Sequence, residues 1–447
     1  MAHRRFRPAS PSPSLPVLQP AEHARAMRPA TYRTRRLVRT AARNWRLLAI
    51  GAVLLLLEVV FHVRSFAVVR PATNLDPPFH IGCQEPILNT SSRANAALVM
   101  LARNSDVDGA VDSIRSVQEQ FNQHFGYPWV FLNDKEWSRE FKTRVGKAIS
   151  DGGGASDITF ETIPPGMWGY PNWIDQDEAR KSMASMERRK ISYAGKESYH
   201  HMCRFNSGFF FDHPALLNYK WYWRVEPDIE FTCAVTYDPF VEMERNDKRY
   251  GYTIALWELG KTVPSLFRKL ADYKMRRRIP TTSLWTAMMD PSYLPWPIRR
   301  LIWWVRNRDP YGDLWNMCHF WSNFEIADME FFRSAEYRDF FRFLDEDGGF
   351  YYERWGDAPV HSLAAALLLR PDQVHHFADF GYVHRPFQYC THAPTDDELR
   401  RGELVPDLRG RDVSAWPERE LGCNCHCDPR IETVAPACFN RIRSTVM

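Results

Sequence analysis

The sequence predicts an α/β fold with a parallel sheet, carried behind a single membrane-spanning segment. Two observations predict it. "AALVML" at 96–101 is a short apolar run of strand length. Apolar residues then fall at 107, 111, 114, 117, 121 and 125, a helical stripe, and "WVFLND" at 129–134 reads as a second buried strand. Strand, helix and strand of these lengths make a βαβ unit, which pairs its strands in parallel. The second observation is "NWRLLAIGAVLLLLEVVFHVR". Its Leu47–Val63 portion is seventeen residues long with one acid, Glu58, near the short limit for crossing a bilayer.

Residues 1–46 hold eleven Arg and one acid, Glu22. The whole chain carries +4, so residues 47–447 carry about −6. The basic character belongs to the tail, and a nucleic-acid partner loses its main support. Arg excess ahead of the span predicts a cytosolic tail (1–46), a signal-anchor (47–63) and a lumenal remainder. A cleaved signal peptide has no such long leader, and a mitochondrial presequence, which shares the Arg-rich composition, is the weaker alternative. Residues 64–92 lack periodicity, contain several prolines and read as a stem, with a glycosylation sequon at Asn89-Thr90-Ser91. Residues 93–447 are then the lumenal domain.

Within that domain, ligands of a parallel sheet bind beyond the carboxyl ends of the strands. Arg103 and Asn104, and Asn133 and Asp134, sit at the first two such ends. "DGGGAS" at 151–156 lacks the spacing of a phosphate-binding loop. Further strands are expected at about 157–163, 219–225 and 250–256, with a helix around 183–199. Residues 264–312 mix prolines, Trp and Arg ("WPIRRLIWWVRNRDP") and read as an insertion. A membrane-skimming or acceptor-facing element is one reading; a surface insertion whose Trp residues pack inward is favoured. All nine cysteines follow residue 80, which suits an oxidising compartment. "CNCHC" at 423–427 lacks zinc-site spacing, so its cysteines are expected to pair with distant partners, leaving at least one of the nine unpaired.

"YWRVEPDIEF" (222–231) places three carboxylates after a buried run. Pro227 cannot donate to a ladder, so pairing should stop or bulge there. If the chain stays extended, Glu226, Asp228 and Glu230 share one face. Two hard carboxylates there suit Mg²⁺ or Mn²⁺ that also touches substrate phosphates. A strand-end acid cluster, or pairing with Arg224, fits equally. In "CHFWSNFEIAD", Ser322-x-x-Glu325 matches a capping box. In "GGFYYERWGDAPVHSLAAALLL", Asp357 matches an N-cap with Pro just inside the helix, and Tyr351, Tyr352 and Trp355 crowd the turn. His361 reads as a core or supporting residue. His384 lies in "DFGYVHRPF", before a proline.

These segments, with "MCRFNSGFFF", are similar to the fungal α-1,2-mannosyltransferases of mannoprotein synthesis, glycosyltransferase family 15. The resemblance runs from about residue 93 to 390. It implies a GT-A type nucleotide-sugar transferase fold with a mixed, mostly parallel sheet. It also implies a type II Golgi membrane protein that uses GDP-mannose and Mn²⁺. Mannose would pass with retention to a mannose-terminated glycan, N- or O-linked. By motif, Glu226 and His384 resemble the metal ligands and Glu325 the carboxylate at the anomeric carbon. Tyr199 of "SYHHMCRF" and Asp357 match groups beside donor and acceptor. Arg103, Asn133, Asp228 and Trp355 are the expected substrate contacts. Two features depart from the family pattern: the 264–312 segment is longer and more basic, and "CNCHC" carries a third cysteine. A glycoside hydrolase, or a non-catalytic mannose-binding protein of the Golgi, remain the competing classes.

Overall fold

A computed structural model describes residues 44–67, 76–83, 93–154, 157–391, 421–435 and 437–443. The chain divides into two compact units, residues 1–58 and 59–447. The described part of the first is residues 44–58, most of helix α1 (Trp45–Ala67). That helix is long and apolar enough to cross a membrane, by length and composition. The sequon at Asn89 lies outside the described residues.

The second unit is organised by one seven-stranded sheet. Strands β1 (Ala96–Leu101), β2 (Trp129–Asn133) and β3 (Ile158–Thr162) follow one another along its edge. β4 (Trp221–Arg224), β6 (Tyr250–Tyr252), β11 (Glu325–Asp328) and β12 (Val374–His376) complete it in the order β12-β6-β11-β4-β1-β2-β3. Only β11 runs against the rest, so the sheet is mixed and mostly parallel, as expected. Helix α2 (Val107–Val117) crosses between β1 and β2 and buries Val107, Val111, Ile114 and Val117. The helical stripe does reach Phe125, but through a π-helical stretch at Gln118–Asn122. There the Gln118 amide turns inward, donating to the Gly153 carbonyl (2.8 Å) and accepting from the Trp129 indole (3.1 Å).

A second sheet joins β5 (Ile229–Phe231), β13 (Tyr382–His384), β14 (Phe387–Tyr389) and β15 (Glu432–Thr433) in the order β15-β14-β13-β5. The strand expected over 250–256 is two. β6 stays in the main sheet, while β7 (Ala255–Trp257) leaves it to pair with β10 (Cys318–Phe320). Two further short strands, β8 (Met289–Asp290) and β9 (Leu314–Trp315), pair with each other.

Three further expectations change. The helix expected at 183–199 is two helices, α3 (Gln176–Arg188) and α4 (Glu197–Gly208). Lys190 and Tyr193 between them take φ of 56° and 62°, and right-handed helix cannot pass through left-handed residues. Part of the expected stem is folded: Asp76 is buried, accepts from Lys248 Nζ (2.8 Å) and meets His375 Nδ1 (2.6 Å). The Trp residues of the insertion do not all pack inward. Trp285 is buried, but Trp296, Trp303 and Trp304 are 52%, 46% and 67% exposed.

Four disulfides hold the unit: Cys83–Cys423, Cys233–Cys425, Cys318–Cys438 and Cys390–Cys427. Each cysteine of "CNCHC" thus pairs with a distant partner, and Cys203, buried, is the unpaired one.

Candidate active site

The site grows from the carboxyl end of β4. Trp221, Tyr222 and Trp223 are buried; Arg224 and Glu226 then emerge at the edge. Pro227 does end the ladder, but the chain does not stay extended. Asp228 takes φ of 64°, and its N–H donates to the Gly109 carbonyl (3.2 Å). The turn sends Asp228 against α2 and leaves it exposed, so Glu226, Asp228 and Glu230 do not share a face.

Beyond the turn, β5 pairs antiparallel with β13, setting His384 opposite Ile229. This pairing brings His384 Nε2 to 3.8 Å from Glu226 Oε2. Both side chains are 27% exposed, open to a ligand yet walled. The His384 ring packs edge-on to Trp321 (centroids 4.9 Å), and its Nδ1 is buried without a hydrogen-bond partner. Glu226 Oε1 is already engaged: Arg224 Nη2 donates to it (2.5 Å), and Arg224 Nη1 donates to Asp357 Oδ2 (2.5 Å). One guanidinium therefore bridges two carboxylates, the fork geometry that Arg supplies and Lys does not.

Asp357 opens helix α5 (Asp357–Leu368), but Gly356 is the residue in the cap position and Asp357 makes no cap bond. Its carboxylate accepts from Arg224 and from the Ser322 hydroxyl (2.8 Å). Burial alone would push its pKa up; the Arg224 guanidinium, His361 and these hydrogen bonds outweigh that and hold it below the ordinary range.

Glu325 begins strand β11 directly opposite Arg224 of β4. The capping-box reading fails because the segment is a strand; the next helix, Met329–Arg333, is capped by Asp328. Glu325 is wholly buried. It accepts from the Tyr222 hydroxyl and from Tyr250 (2.8 Å), and His361 Nδ1 lies 2.9 Å from Oε2. His361 Nε2 meets the Asn206 carbonyl (3.0 Å), which can only accept. Nε2 therefore carries hydrogen, and a further proton lies between Nδ1 and Glu325. Burial pushes the Glu325 carboxyl up, with His361 opposing.

A pocket of about 330 Å³, open to solvent, adjoins this cluster; Asn206, Tyr222, Arg224, His361, Leu101 and Leu132 are in its wall. Glu325 lies one layer behind, in contact with two of those residues. Tyr199, on α4, borders Cys203 and Asp357 and is pushed well above its ordinary pKa by burial. Its hydroxyl receives a hydrogen bond from Arg354 Nη1 (2.9 Å), and Arg354 also reaches Glu258 (3.2 Å).

Glu226, His384, Asp357, Glu325 and Tyr199 are thus gathered around Arg224 and its neighbours. The other expected contacts are not. Arg103 forks onto Asp106 with two bonds of 3.0 Å and is largely exposed. Asn133 sits at the end of β2, buried, with its Nδ2 unpartnered, and neither residue lines the pocket. Trp355 has no exposed surface, and its indole donates to Glu353 (2.6 Å), so it is core rather than a sugar platform. Sequence reasoning missed Tyr222, Tyr250, Ser322, Asn206 and Arg354. Their signal lies in β4–β11 register and in long-range packing, which local patterns do not carry.

Comparisons with known proteins point one way. The family model described as glycolipid 2-alpha-mannosyltransferase matches residues 75–413. An O-glycoside alpha-1,2-mannosyltransferase homolog of Schizosaccharomyces pombe is 42% identical over 389 residues, covering 80% of this chain and 79% of that protein. A glycolipid 2-alpha-mannosyltransferase of Saccharomyces cerevisiae is 43% identical over 326 residues, 73% and 68% of the two chains. Among solved structures, core-mannan synthase A of Aspergillus fumigatus in its Mn/GDP form is similar. It superposes with a TM-score of 0.65 at 34% identity, over 84% of this chain and 92% of that one.

Proposed function

This chain belongs to the glycolipid 2-alpha-mannosyltransferase family, glycosyltransferase family 15, and we propose that it moves mannose from GDP-mannose to the 2-hydroxyl of a mannose on N- or O-linked glycans, with retention. That it is a glycosyltransferase follows from the family. The observation that carries the donor reading is the facing pair Glu226 and His384, 3.8 Å apart, with Arg224 tying Glu226 to Asp357.

The donor set fits Mn²⁺. A carboxylate oxygen and an imidazole nitrogen face each other on a partly open wall. Among the described residues no group of three or more His, Cys, Asp or Glu could hold an ion, so remaining ligand positions would go to diphosphate and water. Glu226 Oε2 and His384 Nε2 would hold the cation; when bound it offsets charge on the departing diphosphate. The Mn/GDP form of the similar Aspergillus structure supports Mn²⁺ and a GDP-linked donor.

The chain's own groups do the rest. Arg224 keeps Glu226 Oε1 engaged, leaving Oε2 free to turn outward. Asp357, ionised, accepts from the acceptor hydroxyl and orients it. Arg354 donates to the Tyr199 hydroxyl and so fixes that ring beside Asp357. Glu325 has both oxygens held by donors and no open surface, which supports a supporting carboxylate behind the reacting carbon rather than a covalent nucleophile. In this front-face route the bond from C1 to the phosphate oxygen breaks while that from C1 to the acceptor oxygen forms on the same side. The hydroxyl proton passes to the departing phosphate.

The Arg-rich tail, α1 and the four disulfides support a type II Golgi protein with its catalytic domain lumenal. The test is to incubate the purified full chain with GDP-mannose, Mn²⁺ and α-methyl mannoside, and to read the product by NMR. An α-1,2-linked dimannoside with the donor's anomeric configuration is expected. Free mannose without transfer would favour a hydrolase, and binding without turnover a lectin.

A further inference from the structure

The segment 291–308 exposes what soluble proteins bury. Tyr293, Trp296, Ile298, Leu301, Trp303 and Trp304 face outward, Leu301 at 70% exposure and Tyr293 at 74%. The short helix Trp296–Leu301 is inverted: it turns Arg299 inward, toward the Leu294 carbonyl, and its apolar residues out. A clustered patch of this kind marks a contact surface. The segment contains no Asp or Glu and has Arg at 299, 300, 306 and 308, while the chain beyond the tail is acidic overall. Exposed Arg300 and Arg306 are interleaved with indoles, the composition that settles at a bilayer's headgroup level.

The patch also meets the last turns of α1, which belong to the same compact unit. His62, in the last turns of α1, hydrogen-bonds Asp313 Oδ1 (2.8 Å), and the same oxygen accepts from Ser292 N–H (2.8 Å). Asp313 thereby joins the end of α1 to the first residues of the patch. The nine peptide links from Ala67 to the docked Asp76 reach at most about 30 Å, so this unit cannot leave the vicinity of a bilayer that holds α1.

We propose that residues 293–306 are a second membrane contact, seating the catalytic unit on the lumenal leaflet against anionic headgroups. This rests on the reading of α1 as a membrane anchor. The test uses the full chain carrying Leu301→Cys, labelled with an environment-sensitive dye, in nanodiscs of phosphatidylcholine with a minor share of phosphatidylserine. The native cysteines are four disulfides and a buried Cys203, so the new thiol takes the label. Blue-shifted emission, quenched by doxyl-labelled lipid, is expected. R300E/R306E should weaken docking about fivefold per charge removed. A label that stays unshifted and unquenched, in a chain that resists carbonate extraction, overturns this contact alone. A chain that carbonate strips from membranes overturns the anchor and the contact together. A blue shift already present in detergent micelles and growing with protein concentration assigns the face to a second copy and overturns the membrane contact.

Discussion

Arg224 and Glu325 stand opposite one another across the β4–β11 ladder, yet they do not pair. Arg224 turns to Glu226 and Asp357, while Glu325 turns to Tyr222, Tyr250 and His361. One backbone register thus divides the charges into two sets: an open one that runs from Asp357 through Arg224 to the partly exposed Glu226, and a closed one buried around Glu325.

The closed set predicts that Glu325→Gln lowers kcat at least about 100-fold, the scale of losing one electrostatic support at a reacting centre. GDP affinity, measured by calorimetry with Mn²⁺ present, should stay near wild type. A variant that turns over normally would remove Glu325 from catalysis, and a mannosyl adduct on Glu325 in mass spectra of the wild-type protein would overturn the front-face route.

For the open set, His384→Ala should shift the Mn²⁺ midpoint of GDP binding by more than the roughly 10–100-fold typical of losing an outer-shell partner. An unchanged metal titration would exclude His384 as a ligand.

Arg224→Met leaves two carboxylates without their shared cation. A loss of about 3–5 kcal/mol in urea unfolding is expected, together with loss of transfer. Arg224→Lys restores the charge but not the fork, and should recover stability more than activity. Equal recovery of both would show that charge alone matters.

Stability should also depend on Asp379. Burial pushes its carboxyl to about 7 from an ordinary 3.8, and its Oδ2 accepts from the Tyr237 hydroxyl (2.7 Å). The unfolded chain gives up this proton above 3.8, whereas the folded chain keeps it until about 7. Stability from this group is therefore fully present at low pH and falls as pH rises through that window, by up to about 4 kcal/mol. Asp379→Asn, which can still accept from Tyr237, should flatten the urea midpoint across the window. An unchanged slope would show that the group ionises freely in the fold.

Much of this was legible in order along the chain. Helical and strand periods need only neighbours, so the β1–α2–β2 unit, the apolar helix and the segments holding Glu226, Glu325, Asp357 and His384 could be read directly. Composition likewise separated the basic tail from an acidic remainder, and cysteine placement pointed to distant pairing. Conformation at single residues was less legible. The left-handed Lys190, Tyr193 and Asp228 broke a helix and an extended strand that local pattern supported.

Tertiary structure alone decided which groups meet. His384 reaches Glu226 because β13 pairs with β5, a contact more than 150 residues apart in sequence. Glu325 became a buried carboxylate rather than a helix cap because β11 entered the sheet beside β4. Trp355 went into the core while Trp303 and Trp304 stayed outside, although all three are equally apolar. Hydrophobicity specifies that a side chain favours leaving water; only the packed chain determines whether there is space for it to do so.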